Sequence, residues 1–240
     1  MNLNQNKAET GVVARRLFER VIELEPNCAR AYVGAAWSHY QEAVLGTGEV
    51  SLPSLHKAAE LARKALSLDE LDGSSHSVLA FFYLFQGDHE QALAEAWRAA
   101  ELTPNSAHVN IWTANILGFC GRAEEAIVWA RRGLRLCPIC PAFFLVYLGR
   151  AYLLCGRHEE AIAAYKGALA RDAEFVTARI GLARTYVRTG REEEARAEAR
   201  EILNIDPRFS LQDFQGRLLY KDPAVRDAAI ADLRKAGLPE

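Results

Sequence analysis

GDHEQALAEAWRAAELTP (87–104), GRAEEAIVWARRGLRLCP (121–138), GRHEEAIAAYKGALARDA (156–173) and GREEEARAEAREILNIDP (190–207) read as four copies of one segment. Their glycines, Gly87, Gly121, Gly156 and Gly190, stand 34, 35 and 34 residues apart. Ala58, Ala92, Ala126, Ala161 and Ala195 recur with steps of 34, 34, 35 and 34. Upstream of the glycines lie the small residues Ala80, Ala114, Gly149 and Ala183, followed after three positions by Tyr83, Leu117, Tyr152 and Tyr186. Pro104, Pro138 and Pro207 close three copies, and Glu70 and Ala173 take that place in two others. A fixed period of this length marks one supersecondary unit that buries its apolar face by stacking on its neighbours.

Each recurring column has a physical reason if the unit is two antiparallel helices, A and B. Small residues sit where the two helices cross, and overpacking such a site costs about 1–3 kcal/mol. The glycine ends helix A, because a left-handed cap is free of Cβ strain only at glycine. Acidic residues after it (Glu124 and Glu125, Glu159 and Glu160, Glu192 to Glu194) fall in the first turn of helix B, where the helix dipole favours negative charge. Proline stops helix B or starts the next helix A.

The bulk composition bounds what such an array does. Half of the 240 residues are apolar and a quarter are charged, enough for a real core. The net charge of −2 argues against a nucleic-acid surface, which needs a basic excess. Apolar runs are too short to cross a bilayer, so no membrane partner is expected. The polar start, MNLNQNKAET, is not a secretory signal. Five cysteines without dense spacing point to a reducing, cytoplasmic setting rather than a disulfide framework.

Period, small–x2–aromatic pair, glycine, alanine and proline together resemble the tetratricopeptide repeat (TPR) from about Val12 to about Phe209. The resemblance implies an all-α, right-handed solenoid of about five repeats. Residues 11–28 read as a half repeat, a helix B with Ala14, Phe18, Val21 and Pro26 in the repeat columns. The full repeats read as 29–72, 73–106, 107–141, 142–175 and 176–209, with a capping segment at 210–240. Residues 1–10 read as disordered or foreign to the natural chain. Repeat one is longer by ten residues, placed in the QEAVLGTGEVSLPS segment, where Gly46, Gly48 and Pro53 mark a loop. The opening helix B has no helix A before it and exposes an apolar face, so a second copy that completes it, giving a homodimer, is an alternative function.

The tail FSLQDFQGRLLYKDPAVRDAAIADLRKAGLPE (209–240) leaves the repeat pattern. Its Phe209-Ser210-Leu211, Tyr220-Lys221-Asp222-Pro223 and closing Leu233–Pro239 are similar to the C-terminal end of bacterial class III adenylate cyclases that carry such repeats behind a catalytic domain. So is the early stretch Ala31–Trp37 followed by a long loop. This resemblance implies a regulatory or docking region of a bacterial signalling protein, without the cyclase domain. Leu218, Leu219, Val225, Ala229, Leu233 and Leu238 are expected to cover the open end of repeat five.

In a stack of such pairs the A helices line the concave face. Helix A positions pointing away from helix B give Trp37 and Tyr40; Phe81 and Phe85; His108, Trp112, Asn115 and Phe119; Phe143, Tyr147 and Arg150; and Arg184 and Arg188. One column, Trp37, Phe81, Asn115, Arg150 and Arg184, grades from aromatic to cationic. A peptide or protein partner fits it: aromatics bury apolar side chains, Asn115 bonds a main chain, and the arginines meet a carboxylate. The aromatics read equally well as packing between repeats.

Catalytic and cofactor motifs do not stand out. Cys137-Pro-Ile-Cys140 is a lone pair, and a zinc site needs two further ligands. The six histidines form no i,i+4 pair, and no glycine-rich phosphate loop occurs. The expectation is a non-enzymatic scaffold without metal or cofactor.

Overall fold

A computed structural model describes residues 3–45 and 50–240, and the side chains of 11–44 and 50–240. The described residues form helices joined by turns. In chain order these are α1 (Leu3–Leu24), α2 (Ala29–Leu45), α3 (Leu52–Leu68), α4 (Gly73–Phe85), α5 (His89–Leu102), α6 (Ala107–Phe119) and α7 (Ala123–Leu136). They continue with α8 (Ala142–Leu154), α9 (His158–Leu169), α10 (Val176–Arg188), α11 (Glu192–Ile205), α12 (Leu211–Gln215) and α13 (Pro223–Ala236). The chain divides into two compact units, Met1–Pro104 and Asn105–Glu240. Each is built of antiparallel helix pairs: α2 with α3 and α4 with α5 in the first, α6 with α7, α8 with α9 and α10 with α11 in the second. The expected all-α repeat fold is therefore present.

Turn chemistry explains the pairing. Gly87, Gly121, Gly156 and Gly190 adopt φ of +76°, +81°, +70° and +74°, so each helix A ends in a left-handed cap. The amide just beyond that glycine then reaches back, as Asp88 N donates to Tyr83 O and Arg122 N to Leu117 O. Helix starts are capped by Ser51, Asp72, Asp88 and Ser106, each accepting from an amide three residues on. Helices α7, α9 and α11 start behind an arginine without a side-chain cap, and their first-turn glutamates complement the dipole. Arg122 and Arg157 reach forward to Glu125 and Glu160 in those turns.

Packing between pairs depends on volume exchange. Phe18 of α1 lies against Gly34 of α2, and Tyr165 of α9 lies against Gly181 of α10 and Gly149 of α8. A Cβ on Gly149 would stand 2.8 Å from the Tyr165 ring, and one on Gly181 or Gly34 would stand closer still to its aromatic. Where the B helix instead carries Ala62 or Ala130, the following A helix carries Val78 or Tyr147 at the same place. Large and small alternate across the seam to keep interior density.

Two expectations shift. Helix α1 begins at Leu3, not near residue 11. Leu, Gln, Lys, Ala and Glu form helix without needing an apolar stripe, and no proline interrupts them. Gly46 and Gly48, which mark the loop of repeat one, lie outside the described residues. Pro53 falls inside the first turn of α3, where its missing N–H costs nothing.

Candidate functional site

Within the first unit, Trp37 and Tyr40 on α2 and Phe81 on α4 form an aromatic cluster. Their ring centroids are 4.9–6.1 Å apart, with Trp37 edge-on to the other two. Trp37 Nε1 donates to Ser74 Oγ at 2.8 Å. Phe81 is 2 % exposed, and Phe85 packs against the same core as α3. These residues are brought together, but Phe81 is core rather than open groove.

In the second unit, His108 on α6 sits among Trp112, Phe143 and Phe144, and Phe143 continues to Tyr147. Arg150 of α8 stacks 4.5 Å above the Phe119 ring and 5.5 Å from that of Tyr147. Its Nη1 donates to Asn115 Oδ1 at 2.6 Å. Asn115 thus spends its carbonyl on a neighbouring repeat, although it was expected to meet a peptide main chain.

The sharpest departure concerns Arg184. It was expected to face an open groove, but it is 5 % exposed, because the C-terminal segment lies over it. Arg184 Nη1 points to the Tyr220 hydroxyl at 3.4 Å, and its Nε lies 3.7 Å from Asp232 without a hydrogen bond. Arg188 Nε donates to Asp232 at 2.8 Å. The ring of Tyr220 packs 4.9 Å from Phe119, and Lys221 N donates to Phe119 O at 2.8 Å. Burial alone would raise the Tyr220 phenol, but the guanidinium groups of Arg184 and Arg150 outweigh it and hold it below its usual range. Sequence reasoning missed Tyr220 and Asp232 as partners of this column.

Leu218, Leu219 and Tyr220 lie outside any helix, with Leu218 and Tyr220 buried and Leu219 less so. The segment passes the C-terminal end of α6 at Phe119 and covers Arg184 of α10. Helix α13 then packs mainly on α10 and less on α11, the reverse of the balance between a B helix and the next A helix. It therefore does not take the place of a sixth helix A, although Leu218, Ala229, Leu233 and Leu238 are buried. Beneath it a cavity of about 210 Å³ opens against Leu153, Leu154, Arg184, Arg188 and Val225.

A second surface lies on α1. Val13, Leu17, Val21 and Leu24 are 39–64 % exposed and share one face. In complete repeats that face meets helix A: Glu95, in the column of Leu17, meets His76 at 2.6 Å, and Glu198 meets Arg179 at 2.9 Å. Among the described residues no group of three or more His, Cys, Asp or Glu is placed to hold a metal ion. No helix among them is long and apolar enough to cross a membrane.

Two family models, both described as tetratricopeptide repeat, match residues 73–96 and 148–218. A search of curated proteins found no match. Among solved structures, PilW, described as a widely conserved type IV pilus biogenesis factor, superposes with a TM-score of 0.65 at 18 % identity, covering 87 % of this chain and 88 % of that one. TTC0263, described as a thermophilic TPR protein in Thermus thermophilus, gives 0.62 at 21 % identity, covering 85 % and 100 %. YrrB, described as a TPR protein with an unusual peptide-binding site, gives 0.51 at 17 % identity, covering 80 % and 93 %. Residues 73–96 and 148–218 thus match the tetratricopeptide repeat in sequence, and the chain beyond them shares the fold of solved tetratricopeptide-repeat structures.

Proposed function

We propose that the chain is a non-catalytic scaffold that holds a segment of another protein on the inner ends of its A helices. Tetratricopeptide proteins generally mediate protein–protein interaction, and a fold neighbour is described as having a peptide-binding site. The observation that carries the reading is chemical. The ends of α6 and α10 already hold a non-helical protein segment, by ring contact with Phe119, a main-chain hydrogen bond and a guanidinium. The context we propose is cytoplasmic bacterial signalling, supported by the likeness of the tail and of Ala31–Trp37 to the repeat regions of class III adenylate cyclases. The test is titration of the purified chain with its candidate cyclase or other partner, wild type against Arg150→Ala with Arg184→Ala. Unchanged affinity in the double variant sinks this face as the binding site.

Self-association is a second reading, favoured by the apolar face of α1. Sedimentation equilibrium should show a concentration-dependent dimer that Leu17→Glu abolishes. A strict monomer at all concentrations rules it out.

A further inference from the structure

We propose that the inner face of the second unit is a receptor for Leu-x-Tyr segments that carry a nearby carboxylate, and that Leu218–Tyr220 is a resident copy keeping it closed. This rests on the protein-binding reading above and names the kind of partner.

Three observations converge. First, the resident segment is bound in the manner of a ligand. Leu218 and Tyr220 alternate inward, and the Lys221 amide is fixed on the Phe119 carbonyl, two repeats upstream of the array's last helix pair. A lid for the open end of repeat five needs only α10 and α11, so reaching Phe119 is more than capping requires. Second, the fit is incomplete. Arg184 is buried, yet its Nε has no hydrogen-bond acceptor, and the Tyr220 hydroxyl contact is long at 3.4 Å. Buried donors are rarely left in that state. Third, space adjoins the same residue: Arg184 and Arg188 line the cavity under α13, whose other walls include Leu153, Leu154 and Val225. A carboxylate entering there meets two guanidiniums that now share Asp232.

The resident segment is tethered, so its effective concentration is of millimolar order, as expected of a short link. A free segment at micromolar concentration therefore loses the competition unless it binds much better or the tail is released. Binding is gated by the chain's own C-terminus.

The test uses the full chain. A fluorescein-labelled peptide of residues 214–226 is titrated against wild type and against a variant with Leu218→Ser and Tyr220→Ser. The expected result is at least tenfold tighter binding to the variant, and at least tenfold weaker binding when the peptide carries Tyr220→Ser. Lys221→Pro, which removes the amide held by Phe119 together with the lysine side chain and fixes the local backbone, should give the same sign with unchanged helicity. If both variants lose helicity, the tail is an integral cap and the proposal is overturned. Selection of random peptides on the released variant separates the two levels. Recovery of segments without Leu-x-Tyr overturns the motif and leaves the protein-binding reading standing. Recovery of none overturns both.

Discussion

Arg150 and Asn115, one repeat apart, are joined by a 2.6 Å hydrogen bond from guanidinium to amide carbonyl, roofed by the Phe119 ring. The bond ties α8 to α6 at the side where the tail passes. Replacing Arg150 with Ala strands a nearly buried Asn115 oxygen and removes a cation from the Phe119 face. The expected loss is about 1–3 kcal/mol in urea unfolding. Asn115→Ala in the Arg150→Ala background should cost much less than alone; equal cost in both backgrounds denies the coupling.

Two glycines in A helices should respond oppositely to alanine. A Cβ at Gly181 runs into the Tyr165 ring, so Gly181→Ala should cost about 1–3 kcal/mol. At Gly118 the nearest atom is Leu154 Cδ1 at 3.8 Å, ordinary contact, so helix propensity prevails and Gly118→Ala should gain up to about 1 kcal/mol. Thermal melts of both variants decide it. Destabilisation of similar size in both would refute the seam as described.

Thiol reactivity should divide the cysteines. Burial pushes the Cys120 thiol up to about 11, opposed weakly by Lys221 and Arg122. At pH 8 it is almost wholly the unreactive thiol. Mass spectrometry after brief iodoacetamide treatment should find the half-buried Cys28 and Cys137 labelled well before Cys120. Rapid native labelling of Cys120 would contradict the packing of α6 against the tail.

His39 gives the α1–α2 contact a pH dependence. Burial, then the Arg15 guanidinium, lowers its pKa below 6.5, more than Glu42 and Glu19 raise it. The unfolded chain therefore binds more protons between 6.5 and the lower folded value, and stability falls as pH drops through that window. NMR titration should place the His39 midpoint below 6.5, and His39→Gln should flatten the fall in melting temperature as the solution is acidified from neutral. A midpoint above the ordinary histidine value reverses the sign.

The helix pairs were legible because each column has a local cause: glycine for a left-handed cap, alanine for a close crossing, glutamate for a first turn. Even the seam could have been read from the columns, since Phe18 and Tyr165 stand opposite Gly34 and Gly181, whereas Ala62 and Ala130 stand opposite Val78 and Tyr147. The course of the tail was not legible. Tyr220 meets Phe119 across 101 residues, through a three-residue non-helical stretch too short to carry a period. From sequence the groove column therefore reads as open, although Arg184 is roofed and Asn115 is already engaged.

The Lys221–Phe119 hydrogen bond has a consequence for how the second unit comes apart. A linear array can fray from its end one repeat at a time, since each repeat answers only to its neighbours. Here Tyr220 and Lys221, beyond the last helix pair, are fastened to the third repeat, so peeling off α10 and α11 also breaks the hold on α6. Native-state hydrogen exchange should show α6, α8 and α10 opening with one shared free energy, as a stapled loop does, instead of a staircase descending toward the C-terminus.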